Sequence, residues 1–160
     1  MWQELVHTLQ ALSDAYEALF AIAKKKRAVL VAVDLKGLEA LVEEEKQQLV
    51  RIREDEQRRR DALLALSKEI PGVCVSMTMA EVEAVCPAEL RTKLAALHKR
   101  LVGAVAAAQE AGEANEFLIR QALSAVEYHL NRASNSAIEP TYGRLGQESV
   151  SREKKFDFHA

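Results

Sequence analysis

The stretch VAVDLKGLEAL (residues 31–41) decides the fold, because one apolar pattern ends there and another begins. Before it, a stripe of apolar or small residues follows alternating spacings of four and three: Leu5, Leu9, Leu12, Tyr16, Leu19, Ala23, Leu30 and Val33, with Lys26 as a charged break. Such spacing marks one face of a long helix. The Asp34 carboxylate is suited to accept from free backbone N–H groups at the start of a new helix. The sequence therefore predicts two long helices that meet at Asp34.

The second helix carries apolar residues at heptad a and d positions. These are Leu35, Leu38, Val42, Leu49, Ile52, Leu63 and Leu66. The same register puts Glu45, Glu56 and Arg59 on the seam, so its middle either faces solvent or meets opposite charges across the interface. The helix is expected to end before Pro71, because proline lacks an N–H group and restricts the preceding residue.

A short helix and a very long one are predicted after Pro71. Thr78 and Glu81 have the spacing of a capping box, which indicates a short helix. The last helix is expected from Pro87 to about residue 135, continuous across both of its glycines. Its stripe consists of Leu90, Leu94, Leu97, Leu101, Val105, Ala108, Gly112, Ile119, Leu123, Val126 and Leu130.

Composition supports an all-α fold. Hydrophobic residues make up 49% of the 160-residue chain but aromatic residues only 5%, and three prolines and six glycines are too few for an all-β fold. We expect an elongated antiparallel bundle of three long helices plus one short helix, with coiled-coil-like packing. The bundle would occupy residues 1–136, and residues 137–160 would form a flexible polar tail.

The predicted helix lengths differ, and the difference points to an exposed surface. At about 1.5 Å per residue, the first two helices would each be roughly 50 Å long and the last roughly 70 Å. The last helix would then extend past its partners near Ile119, Leu123, Val126 and Leu130. Exposed apolar patches usually mark interaction sites. The alternative is that the loops shift the register and the stripe is ordinary core.

Charge and thiol content exclude several classes of protein. The net charge of −2 gives no positive field for nucleic acid, and the basic runs 24–27 and 58–60 are expected to be solvated helix faces. No apolar stretch approaches the ~20 residues of a membrane span, and the first ten residues do not resemble a signal peptide. Cys74 and Cys86 form no CxxC pattern, so we expect a cytoplasmic chain with reduced thiols.

Catalytic and metal-binding patterns are missing from the sequence. It contains no nucleophile elbow, P-loop, dinucleotide fingerprint or HExxH motif. The four histidines show no i, i+3 or i+4 spacing among themselves, and the paired Glu-x-x-His motifs on facing helices that di-iron bundles need do not occur. We therefore expect no catalytic, cofactor or metal site, and we expect that the protein is not an enzyme.

Three segments, residues 24–52, 113–130 and 140–147, together resemble the FlgN family. Residues 24–52 are similar to its Lys/Arg-Ala-Leu segment, which precedes Asp-Leu-x-x-Leu-x-x-Leu and a Glu/Lys/Gln-rich helix. Residues 113–130 resemble its C-terminal helix, and residues 140–147 its Tyr-x-x-x-Gly element. The resemblance implies a cytoplasmic flagellar export chaperone. Such a chaperone would bind the C-terminal helices of hook–filament junction (hook-associated) proteins, prevent premature assembly and deliver them to the type III export gate.

The resemblance also suggests roles for individual residues. The asparagine of the C-terminal helix corresponds to Asn115, which joins the exposed stripe as a client-binding residue. Tyr142 would dock on the export gate, because a tyrosine in a polar tail offers a rigid apolar ring with a hydroxyl group. The alternative is that Tyr142 packs back on the last helix.

Two interpretations from other classes stay open at this stage. One is a structural helical-bundle homo-oligomer, in which the stripe pairs with a second copy. The other is a PhoU-like regulator without catalytic activity. The sequence does not identify the client or define a role for the residues after Gln147.

Overall fold

The computed structural model describes residues 1–136, and the predicted tail lies outside these described residues. Every secondary-structure element in the described part is a helix: α1 (Trp2–Val31), α2 (Leu35–Glu69), α3 (Met79–Val85) and α4 (Ala88–Ser136). The prediction of an all-α fold with three long helices and one short helix is confirmed. The predicted breaks near Asp34 and Pro71 are also confirmed, and α4 continues across Gly103 and Gly112.

The chain divides into two compact units, Met1–Leu118 and Ile119–Ala160, and α4 contributes residues to both. From the sequence, the boundary between the bundle and the tail was predicted instead at the end of the last helix, between residues 136 and 137. Because 137–160 lies outside the described residues, that division stays a prediction. The packing described next belongs to the first unit.

A layer of leucines from α1, α2 and α4 forms the core of the first unit. Leu5 and Leu9 near the start of α1 belong to the same buried cluster as Leu63 and Leu66 near the end of α2, so these helices run antiparallel. Leu94, near the start of α4, belongs to this cluster as well, so α4 runs parallel to α1. All five leucines are fully buried, which stabilises the fold by roughly 1.5–3 kcal/mol for each side chain.

The turn between α1 and α2 combines the predicted cap with an unpredicted backbone conformation. Asp34 caps α2, because its Oδ1 accepts from the Gly37 N–H at 2.9 Å, and a Cβ at Gly37 would collide with this carboxylate. Val33 has a φ of 56°, and the N–H of Asp34 donates to the Val29 carbonyl at 2.9 Å. This arrangement is a Schellman motif, in which glycine usually occupies the left-handed position. Valine there costs about 1–2 kcal/mol.

The polar middle of the α2 seam differs in part from the prediction. Leu49 is 39% exposed and Leu35 is 71% exposed, so placing them on the seam was wrong. Gln48 is buried instead, and its Nε2 donates to the Ala15 carbonyl of α1 at 3.0 Å. Glu45 does lie at the interface and pairs with Lys26 of α1 at 2.8 Å. The seam thus contains one buried amide and one part-buried ion pair to α1.

The short helix α3 begins with the predicted capping box. Glu81 Oε2 accepts from the Thr78 N–H at 2.7 Å, and the Thr78 hydroxyl oxygen accepts from the Glu81 N–H at 3.4 Å. The backbone hydrogen bond from Thr78 holds the pKa of Glu81 below its ordinary value. This cap fixes the start of the helix that places Val82 in the leucine core.

Replacing the α2 cap should measurably destabilise the fold. Asp34→Ala removes the acceptor for the Gly37 N–H, and we expect the free energy of unfolding to fall by about 1 kcal/mol in urea denaturation. Asp34→Asn keeps an oxygen acceptor and should retain most of the stability. An equal loss in both variants would show that the cap hydrogen bond is not what Asp34 contributes.

A second prediction concerns the Arg100 guanidinium, which donates to Glu17 at 2.6 and 2.7 Å and to Asp14 at 2.7 Å. The hydrogen bond from Arg100 holds the pKa of Glu17 below its ordinary 4.5. A carboxyl group whose pKa is lower in the folded state than in the unfolded state stabilises the fold at pH values above its unfolded-state pKa. This stabilisation is lost as the pH falls through the folded-state pKa. Arg100→Leu should therefore raise the pKa of Glu17, measured by NMR titration, and flatten the loss of stability below about pH 4.5.

The neighbouring Lys99→Leu serves as the control for Arg100→Leu, because Lys99 is an exposed cation on the same helix. It should leave the pKa of Glu17 where it is. A Glu17 titration that is identical in wild type and Arg100→Leu would contradict the assignment.

Candidate functional site

The C-terminal part of α4 carries an exposed aliphatic stripe. Leu123, Val126 and Leu130 follow spacings of three and four and so lie on one helix face. Their exposed fractions are 58%, 54% and 53%, although such side chains are usually buried. Ile119 lies on the same face and is half-buried. From residue 120 to residue 135, every residue is exposed.

The aromatic residue of this segment lies on a different face. Tyr128 is five residues after Leu123, or about 140° around the helix at 3.6 residues per turn. Its ring contacts that of His129 edge-on, with 5.5 Å between the centroids. The stripe itself is therefore purely aliphatic, with the composition of a coiled-coil seam.

An aliphatic stripe of this kind can bind an amphipathic helix. A partner helix would lay its apolar face on Leu123, Val126 and Leu130. Covering the exposed part of three such side chains stabilises a complex by roughly 2–5 kcal/mol before the costs of association. That energy suits a contact that forms and is later released.

Asn115 lies in the first unit and has a different environment from the stripe. Its side chain is only 3% exposed, and its Nδ2 donates to the Ala23 carbonyl of α1 at 2.8 Å. Its Oδ1 is buried and has no hydrogen-bond partner among the described residues. A buried, unpaired acceptor costs about 1–3 kcal/mol. The assignment of Asn115 to client binding stays a prediction, but its unpaired oxygen is a feature that the sequence did not indicate.

A cleft of about 300 Å³ lies between α1 and α4 and reaches Asn115. Its remaining lining residues are Phe20, Ala23, Lys24, Arg27, Glu110, Ala111 and Ala114. The Lys24 ammonium lies over the Phe20 ring, 4.7 Å from its centroid. The basic run at 24–27 was expected to be a solvated face, but Lys24 and Arg27 line this cleft, which no sequence pattern indicated. Only the packing of α1 on α4 brings the two segments together.

Between residues 1 and 136, no group of three or more His, Cys, Asp or Glu side chains could hold a metal ion. No helix in that range is long and apolar enough to cross a membrane. Cys74 is an exposed free thiol and Cys86 a buried one. Tyr142 lies outside the described residues.

A family model described as "FlgN protein" matches residues 1–149. The chain belongs to the FlgN family. Membership gives it the general role of a flagellar export chaperone, in agreement with the resemblance of its three segments. No curated protein and no solved structure is significantly similar to the chain. The matched range includes the stripe, Asn115 and Tyr142.

Proposed function

We propose that this FlgN-family chain binds the C-terminal helices of hook–filament junction (hook-associated) proteins. It keeps these clients unassembled in the cytoplasm and delivers them to the type III export gate. The observation that carries the proposal is the aliphatic stripe of Leu123, Val126 and Leu130, which is more than half exposed. A flagellar export chaperone needs such a surface to cover a client helix.

The chemistry of the stripe explains how a client would be kept from assembling. Assembly helices are amphipathic, and their apolar faces associate with each other when exposed to water. Leu123, Val126 and Leu130 offer a competing apolar surface. While the client helix lies on this surface, its own apolar face is unavailable to other copies. Ile119 and Asn115 belong to the same proposed client-binding set.

The proposed action is binding alone, without catalysis. The sequence has no nucleotide-binding motif. Release must then come from competition at the gate, and the modest energy of the stripe permits it. Membership in the FlgN family lends no support to the PhoU-like alternative. A homo-oligomer would use the same stripe to bind a second copy of the chain. The molar mass of the protein in solution without client therefore distinguishes the homo-oligomer from the chaperone.

Charging the stripe should weaken client binding. Leu123→Glu would bury a carboxylate in the interface, and we expect the affinity for a junction-protein C-terminal helix peptide to fall at least tenfold, about 1.4 kcal/mol. The melting temperature should change little because Leu123 is 58% exposed in the chain alone. Isothermal titration calorimetry and thermal denaturation measure the two quantities.

Gln121→Glu is the matched control for Leu123→Glu. It adds the same charge at an exposed position about 160° from Leu123 around the helix. It should bind the peptide like wild type. Strong destabilisation by Leu123→Glu with unchanged affinity would show that the stripe is core. A wild-type chain that forms a stable dimer and loses it in Leu123→Glu, again with unchanged affinity, would favour the homo-oligomer.

A separate prediction addresses the export gate. Tyr142→Ala removes the aromatic ring proposed to dock there, so client secretion from cells should fall while client binding persists. Tyr142→Phe keeps the ring and should retain more secretion than Tyr142→Ala. Both client co-purification and secreted client are measured in the same strains. Normal secretion in Tyr142→Ala would remove Tyr142 from the docking role.

A further inference from the structure

The turn between α1 and α2 presents three aliphatic side chains to solvent. Val31 ends α1, Leu35 begins α2 and Val33 lies between them. Their exposed fractions are 71%, 71% and 77%, the highest values among the large hydrophobic residues of the described range 1–136. Residues 31–36 are called the hairpin tip below. Because exposed aliphatic clusters usually mark interaction sites, the hairpin tip is a candidate contact surface.

The backbone conformation of Val33 shows that the turn itself does not require this side chain. Val33 has a φ of 56°, the left-handed conformation in which glycine is usual and a β-branched residue is strained. Glycine would make the same turn without strain and without exposing a side chain. Val33 belongs to neither of the two buried clusters of the core. Folding therefore gives no reason for a valine here, whereas a contact made by its exposed isopropyl group would.

Cationic side chains surround the hairpin tip. Residues 24–39 contain five Lys or Arg side chains and two carboxylates, although the whole chain has a net charge of −2. Lys25, Arg27 and Lys36 are exposed, and none of the ion pairs within residues 1–136 uses them. The surface around the hairpin tip is therefore positive and complements an anionic partner.

The size of the patch distinguishes between a protein partner and a lipid surface. A stable protein complex buries about 800 Å² on each partner. Three aliphatic side chains on one turn fall far short of that area. A bilayer requires no complementary shape, because shallow apolar insertion combined with several cations is enough for reversible binding to anionic lipid. The hairpin tip has both parts of that combination.

The spacing of these groups along the chain matches the layers of a bilayer. Arg27 precedes Val31 by four residues, or about 6 Å along the helix. The headgroup region on each side of the hydrocarbon is roughly 5–7 Å thick. With the hairpin end-on and its aliphatic groups at the hydrocarbon boundary, Arg27 and Lys36 would reach the phosphates through their flexible stems. Asp34 is the carboxylate nearest to the aliphatic groups, and its bond to the Gly37 N–H at the positive end of α2 reduces its repulsion.

We propose that the hairpin tip docks end-on onto an anionic phospholipid surface. Val31, Val33 and Leu35 lie in the bilayer interface, and Arg27 and Lys36 bind lipid phosphates. No described helix spans the bilayer in this arrangement. The contact is weak and reversible, because it combines one shallow apolar insertion with a few charges. This lipid site adds to client binding on the aliphatic stripe and does not depend on it.

Co-sedimentation of the full chain with vesicles tests the proposal. The chain should sediment with vesicles of phosphatidylethanolamine and phosphatidylglycerol but not with phosphatidylcholine vesicles. Raising the salt from about 0.1 M to about 1 M shortens the screening length from about 10 Å to about 3 Å and should release the protein. Equal binding to both kinds of vesicle, or binding to neither, would overturn the proposal.

Val33→Gly separates the lipid contact from the stability of the fold. It relieves the strained backbone, so the melting temperature should stay unchanged or rise. It also removes one inserted side chain and should weaken binding to the anionic vesicles roughly tenfold, as should Leu35→Ser. Leu64→Ser, the same change at another exposed leucine of α2, is the control and should bind like wild type. Wild-type vesicle binding by either tip variant would contradict the proposal.

A pair of charge variants tests the cationic part of the site. Arg27→Gln with Lys36→Gln should weaken binding to the anionic vesicles roughly tenfold. Lys93→Gln with Lys99→Gln changes the net charge equally, at exposed positions near the buried Leu94 and therefore at the other end of α1, and should bind like wild type. Equal losses from both pairs would show attraction by net charge alone, and the hairpin tip would not be the site.

The client peptide assay distinguishes this lipid site from the proposed chaperone function. Every tip variant should bind the peptide like wild type, whether or not the chaperone proposal holds for other parts of the chain. Vesicle binding that is lost in Leu123→Glu but kept in the tip variants would place the lipid contact on the stripe and overturn the proposal. A chain that binds no vesicles, but whose Val33→Gly variant fails in client secretion, would assign the hairpin tip to a protein partner instead.

Discussion

Exclusion of water from one layer of leucines is the constraint on which the first unit depends. The layer joins α1, α2 and α4, and its members are Leu5, Leu9, Leu63, Leu66 and Leu94. Once these leucines pack together, α2 must run antiparallel to α1 and α4 must run parallel to α1. Every polar contact between these helices follows from that arrangement. Lys26 reaches Glu45 and Asn115 reaches the Ala23 carbonyl because the leucines have already fixed which turns face each other.

The polar contacts away from the leucine layer supply alignment more than energy. Gln48 and Asn115 each donate to a carbonyl of α1, at Ala15 and Ala23 respectively. Both carbonyls belong to alanines, whose small side chains let an amide approach the helix backbone. A buried amide contributes little net stability but penalises any shift of one helix along another. Ala15 and Ala23 of α1 therefore help to hold the alignment that the leucine layer has fixed.

Local signals made much of the fold predictable from the sequence, since Asp34, Pro71 and the Thr78 cap act within a few residues of themselves. Which of Gln48 and Leu49 is buried was not predictable, because the partner of the Gln48 amide is the Ala15 carbonyl, 33 residues away in the sequence. For the site, the spacing of Leu123, Val126 and Leu130 indicated a common face, and the structure finds all three exposed. The cleft at Asn115 required knowing how α1 packs on α4, which no pattern within either helix contains.

Trp2 packs against the leucine cluster and is the only tryptophan in the chain. Its fluorescence therefore reports on that layer and on no other part of the protein. Excitation at the red edge of indole absorption avoids the tyrosines, so the emission follows unfolding of the core without an added label. A tryptophan placed in a client peptide would add its own emission above this constant background. Folding and client capture would then be separate optical signals in one sample.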